Sequence, residues 1–130
     1  MSLRPAQQDI ADFHRALGVA TGTTPAVPAP DRKALRLSLI KEEVIDELLP
    51  ALQNDNLEKI ADGMADAIVV ILGTALEYGI DLGPVWEEIH RTNMAKAGGP
   101  RREDGKILKP EGWQPPDICG VLARQGPLDY

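Results

Sequence analysis

The stretch LEKIADGMADAIVVILGTALEY, residues 57–78, decides the fold class. Between Met64 and Leu76 only Asp66 and Thr74 are polar, so a helix formed here keeps almost no face for water. Such a helix must be buried on most of its sides. The polar turn QNDN at residues 53–56 precedes it, and Gly79 follows as a stop. Upstream, Asp31 is placed to cap a helix over residues 32–49, with Leu37, Ile40, Val44 and Leu48 as its apolar stripe and Pro50 marking its end. Residues 7–17 predict a shorter helix with Ile10, Phe13, His14 and Leu17 on one face. The glycines and prolines of GVATGTTPAVPAP, residues 18–30, make that stretch a linker.

Downstream, Asp81 and Pro84 open a further helix that closes near Ala97 at Gly98-Gly99-Pro100. The remaining segment, rich in proline, glycine and lysine, carries at most a helical turn over residues 118–124. No segment alternates as a strand does. The expectation is therefore one all-α domain over residues 1–130, a helical bundle with its core at about 32–97 and an irregular basic tail from about 98. Four short helices are too few to cover residues 64–76, so a second copy of the chain is expected to complete the bundle.

Charge narrows the function classes. Twenty acidic against fourteen basic residues give a net charge of −6, which argues against a nucleic-acid polymer as partner. The longest apolar run, residues 67–72, is too short to span a bilayer, and the N-terminal segment lacks the apolar core of a secretion signal. A cytoplasmic protein without membrane contact is expected. Cys119 stands alone, so it forms no internal disulfide and fits a role as a small apolar filler.

The charges are also segregated. Glu42, Glu43, Asp46, Glu47, Asp55, Glu58, Asp62 and Asp66 crowd one half of the chain with Lys59 as the only base among them. Arg91, Lys96, Arg101, Arg102, Lys106 and Lys109 follow, against Glu103 and Asp104. Glu43 shares a helix face with Asp46 and Glu47, and Asp62 shares one with Asp66. Two antiparallel helices joined by a short turn bring those faces together as oxygen ligands suited to Mg²⁺ or Mn²⁺. For Glu47, Asp55 and Glu58 a solvated surface role is the simpler reading. It fits Asp66 poorly, because a carboxylate inside MADAIVVIL enters an apolar environment where an unpaired charge is costly.

Four ordered segments, KEEVIDEL (41–48), ADGMADAIVVILGTALEYGID (61–81), EIHRTNMAK (88–96) and DGKILKPEGWQPPDI (104–118), resemble the MazG-like nucleotide pyrophosphohydrolases. Within that family the likeness is to small phosphoribosyl-ATP pyrophosphohydrolase-like and all-α dUTPase-like members. The resemblance implies an all-α homodimer or homotetramer that uses Mg²⁺ to hydrolyse a nucleotide to a monophosphate and pyrophosphate, as in housecleaning of triphosphates such as dUTP. Phosphoribosyl-ATP is the alternative substrate, and a non-enzymatic helical oligomerisation module is the alternative outside catalysis. The family's acidic pattern is Glu-Glu-x-x-Glu followed by Glu-x-x-Asp. Glu42, Glu43 and Asp46 match the first part, with aspartate in the last place, and Asp66 matches the final aspartate. Gly63 departs from the pattern, and Asp62 is the nearest substitute. The implied ligands are Glu43, Asp46, Asp62 and Asp66, with Glu42 or Glu43 orienting the attacking water. Asn93 and Lys96 become substrate contacts, and Lys106 and Lys109 phosphate contacts. Trp86 reads as core; Trp113 is placed either to stack on a base or to anchor the tail. His14 and His90 have no catalytic support.

Overall fold

Proline and small polar side chains start the helices. Pro5 sits in the first turn of α1 (Arg4–Leu17), where its missing N–H costs nothing, and Gly18 at φ 72° ends the helix by donating to the carbonyls of its last turn. Pro30 opens α2 (Pro30–Ile40) in the same way. Asn56, Asp81 and Asp117 cap α4 (Leu57–Glu77), α5 (Leu82–Met94) and α6 (Ile118–Arg124), each accepting a backbone N–H at its side-chain oxygen. The computed structural model describes residues 2–130. Among them the only extended pairing is an isolated bridge between Arg101 and Ile107, so the fold is all-α.

Between α2 and α3 (Leu49–Gln53) the helix does not break at Pro50. It widens into a π-helical segment, Lys41–Leu48, and continues to Gln53. In an α-helix the Pro50 ring would press on the carbonyl of residue 46. A π turn just ahead of the proline moves that carbonyl away. π-Helix is rare and occurs mostly as single turns within α-helices, frequently at functional sites. The apolar side chains Ile40, Val44 and Leu48 are half-buried along this stretch, whereas Leu37, expected on the same stripe, is exposed.

Helix α4 is the centre of the molecule, packed against the π segment, α1, α2 and α3. Its buried face combines the small groups Gly63, Ala67, Val70, Gly73 and Ala75 with Leu72, Leu76 and Glu77. Its other face is open, with Met64, Ile68 and Ile71 at 47%, 53% and 45% exposure. Helix α1 docks through Gln7, Ile10, Ala11 and His14. Phe13 and Leu17, expected on that face, point to solvent, because the 7–10–11–14 spacing and the hydrogen bonds of Gln7 choose the buried side. Gln7 is fully buried, donating to the Ile80 carbonyl at 2.7 Å and accepting from the Leu82 N–H at 2.9 Å.

The linker is ordered against the end of α4. Gly22 N–H donates to Leu76 O and Ala26 N–H to Tyr78 O, both at 2.9 Å, which satisfies carbonyls left free at a helix C-terminus. Gly79, at φ 68°, admits this crossing, since a Cβ there would collide with Thr24 O. Leu128 N–H donates to Thr23 O at 2.8 Å, and Tyr130 packs against the core near α1. Trp86 of α5, read as core from the sequence, is 49% exposed, and Met94 on the same helix is 61% exposed. Helix α5 packs on α6 and α1 through its other side. No single helix among the described residues is long and apolar enough to cross a membrane.

Candidate active site

Gly63 lets the π segment approach α4 closely: a Cβ there would stand 3.4 Å from the Leu48 Cα and from its Cδ1. The place where the resembled family carries a glutamate is thus occupied by a packed backbone. Above this contact opens a cleft of about 470 Å³ between the π segment, the α3–α4 turn and the start of α4. Glu43, Asp46 and Glu47 line it from one side and Asp62 and Asp66 from the other. The turn contributes Asn54 and Asn56, the first turn of α4 contributes Lys59, and Pro50 and Ala51 form part of the apolar wall.

The carboxylates are crowded. Burial pushes the Glu43 carboxyl above its ordinary 4.5, and the like charges of Asp66, Glu47, Glu42 and Asp62 push it further in the same direction. Asp66 is half-buried and Asp62 exposed, while Asp46 accepts from Lys41 Nζ at 2.9 and 3.2 Å. Among the described residues no three acidic, histidine or cysteine side chains converge closely enough to hold a metal ion. The acids line the walls of the cleft rather than meeting at one point. As donors they are hard, anionic oxygens, the chemistry that suits Mg²⁺ or Mn²⁺. Glu42 is exposed and outside the cleft lining, so of the two residues considered for orienting water only Glu43 faces the cleft.

Glu47, read from the sequence as solvated, lines the cleft; its position four residues from Glu43 is the signal that places it there. Asn54, Asn56 and Lys59 escaped the sequence reading because QNDN and the residues after it look like a connector. A connector between two helices that form a cleft necessarily closes one end of it.

The basic residues form a separate group. Trp113 donates its indole N–H to the Thr92 carbonyl at 2.7 Å, and Lys96 and Lys109 stand over its ring at 5.1 and 5.0 Å. Lys96 also donates to Asn93 Oδ1 at 3.2 Å. Trp113 is therefore the anchor of the tail, and it gathers Asn93, Lys96 and Lys109 around itself. Lys106 sits on an exposed hairpin held by Arg102 N–H to Lys106 O and Leu108 N–H to Pro100 O, both 2.7 Å. None of these four lines the acidic cleft of its own chain.

His14 is buried beneath α4, with no hydrogen-bond partner for Nδ1. Burial lowers its pKa from 6.5, and Arg36 and Arg32 lower it further against the opposing pull of Glu77. It is not part of the cleft, and His90 is exposed at the surface of α5.

A protein of Acanthamoeba polyphaga mimivirus, described as uncharacterized, is 34% identical over 96 residues, 68% of this chain and 38% of that protein. The chain thus spans well under half the length of this relative. The model of the phosphoribosyl-ATP pyrophosphohydrolase family matches residues 10–93, from α1 to the last turn of α5. That match runs through both acidic helices and the turn between them, and the chain belongs to the phosphoribosyl-ATP pyrophosphohydrolase family, part of the MazG-like superfamily.

Proposed function

We propose that the chain is a Mg²⁺-dependent nucleotide pyrophosphohydrolase that cleaves a nucleoside triphosphate, such as dUTP, to a monophosphate and pyrophosphate. The observation that carries this reading is the crowding of five carboxylates, Glu43, Asp46, Glu47, Asp62 and Asp66, around one cleft in a member of a pyrophosphohydrolase family. Like charges at such density repel unless a cation neutralises them. Glu43, Asp46, Asp62 and Asp66, on facing walls of the cleft, would hold Mg²⁺ once their side chains turn towards one another, with Mn²⁺ as a substitute. When bound, a divalent ion there supplies an acidified water and neutralises charge on the phosphates.

The chain's own part is to hold the phosphates and the water in line. Water oxygen bonds to phosphorus, the anhydride P–O bond breaks, and pyrophosphate leaves with the electron pair. The water proton passes to a carboxylate of the cleft, for which Glu43 is the nominee over Glu42. Lys96, Lys106, Lys109 and Asn93 are phosphate and substrate contacts in this reading. Because they do not line the cleft of their own chain, they would serve the cleft of a neighbouring copy in a homodimer or homotetramer. The exposed row Met64, Ile68 and Ile71, continued by Ile45 and Leu49, is the surface such a copy would cover.

A second reading, phosphoribosyl-ATP as substrate, is favoured by the family model that the chain matches. One experiment separates these possibilities: incubation with deoxynucleoside and ribonucleoside triphosphates and phosphoribosyl-ATP, with Mg²⁺ or Mn²⁺, followed by identification of the phosphate species released. Pyrophosphate from one substrate class, abolished by chelation, is the expected result. Release of orthophosphate, or of nothing from any nucleotide, would defeat the proposal.

A further inference from the structure

Seven residues before Glu43 on the same helical rod, Arg36 is buried against α4, its side chain 7% exposed beside Glu77 at 3%. Its guanidinium donates to three groups along α4: Nη2 to Val70 O at 3.0 Å, Nε to Thr74 Oγ1 at 3.1 Å, and Nη1 to Glu77 Oε2 at 2.9 Å. Arg32, one turn earlier, donates to the other oxygen of Glu77 at 2.6 Å. Gly73 makes room for the fork, since a Cβ there would lie 2.6 Å from Arg36 Nη2 and 2.9 Å from His14 Nε2.

Stability alone does not account for this arrangement. A buried ion pair is costly to desolvate, and replacing one with apolar side chains of similar volume is often neutral or stabilising; fixing register is its best-attested use. Apart from the notch at Gly63 that admits Leu48, the rest of this contact is weakly discriminating. Ile40, Val44 and Leu48 facing the aliphatic side chains of α4 could slide by a turn and exchange one hydrocarbon contact for another. A slide of one turn, about 5.4 Å, breaks this fork in either direction. One way Arg36 takes the place of Arg32 and loses Val70 O and Thr74 Oγ1, and the other way it leaves Glu77 and is buried without a carboxylate. In the observed register Arg36 meets Val70, Thr74 and Glu77, Leu48 meets Gly63, and Glu43 falls opposite Asp66.

We infer that the Arg36–Glu77 pair, seated in the notch at Gly73, sets the axial register of the α2–π rod against α4 and is thereby the positioning device of the acidic cleft. The inference rests on the reading of that cleft as the metal site. Arg36 touches neither substrate nor metal; it acts through the placement of Glu43, Asp46 and Glu47 opposite Asp62 and Asp66.

The test is the double variant Arg36→Met/Glu77→Leu in a Cys119→Ala background, with spin labels on Ile45→Cys and Met64→Cys, diluted with unlabelled chain. The parent should give one narrow label-to-label distance. The double variant should melt at or above the parent's temperature, show a distance that is broadened or displaced by about one turn, and bind Mn²⁺ at least about tenfold more weakly, as outer-shell disruption does. Arg36→Lys, which keeps the cation but cannot span all three acceptors, should show the same defects in milder form. A narrow, unshifted distance in both variants would overturn the inference. So would unfolding of the double variant, because the pair would then hold the fold rather than its register. A parent that binds no Mn²⁺ would count against the metal-cleft reading instead, and the spin-label distance would still decide the register.

Discussion

The two long faces of α4 are built on opposite rules. The buried face is notched by Gly63 and Gly73 and carries Glu77, so neighbouring rods come within backbone reach and are locked by directional bonds. The exposed face presents Met64, Ile68 and Ile71, flexible or branched hydrocarbons with no polar atom to dictate alignment. The first arrangement specifies one geometry and tolerates little change. The second supplies apolar area and leaves alignment to whatever covers it.

Breaking the locked face should give the largest effect. Glu77→Ala leaves Arg36 buried without its carboxylate, and the expected loss is about 3–5 kcal/mol in urea unfolding. A loss below about 1 kcal/mol would mean that water or a rearranged partner takes over. At the margin between the faces, Asp66→Asn should reduce turnover by at least about a hundredfold, roughly 2.7 kcal/mol, and leave the circular dichroism spectrum unchanged. Wild-type turnover in that variant would remove the acidic cleft from the mechanism. On the exposed face, Ile68→Lys/Ile71→Lys should shift stability of the single chain by no more than about 0.5 kcal/mol per site, while reducing the particle mass in light scattering. An unchanged mass would show that the apolar row is not where copies meet.

The smallest effect concerns pH, and it runs with opposite sign in the two regions. His14 has its folded pKa lowered below 6.5, so the folded state binds fewer protons there. Its contribution is full above 6.5 and is lost as pH falls from 6.5 towards the lower folded value. Glu43 has its folded pKa raised above 4.5, so its unfavourable charge is relieved as pH falls through the folded value towards 4.5. His14→Gln should flatten the decline of stability below pH 6.5, and Glu43→Gln should remove the gain on the approach to pH 4.5. Identical pH profiles for His14→Gln and the parent would show that this imidazole is free to protonate in the folded state.

Helix content was legible because the apolar period and the turn signals agree: the QNDN turn, Asp81 and Gly79 sit at or next to the observed boundaries, whereas Asp31, expected as a cap, lies inside the first turn of α2, which Pro30 opens. The π segment was not, since Ile40, Val44 and Leu48 recur every four residues and suit an α or a π winding equally. Pro50 then looked like a stop, whereas it follows the widening that accommodates it. The acidic half of the site was legible from charge spacing. Arg36, Glu77 and Gln7 were not recognised as interior residues, because a charged or amide side chain defaults to solvent unless its partner is known, and those partners lie 41 and 73 positions away. Trp113 had two readings on sequence alone, and the Thr92 carbonyl decides between them.

The π segment also changes what a length variation would do to this protein. Each of its hydrogen bonds spans one more residue than an α-helical bond, so the rod carries slack in its numbering between Lys41 and Leu48. Removing one residue there tightens the winding back to α, and the Pro50 ring then presses on the carbonyl four residues before it. The helix on either side would keep its place, because the residue removed is the extra one that the wide turn holds. Glu43, Asp46 and Glu47 would change their angles to Asp62 and Asp66 while the helical spectrum stayed nearly constant. Insertions and deletions in these eight residues therefore act as a dial on which carboxylates share the cleft, a change that no single substitution can make.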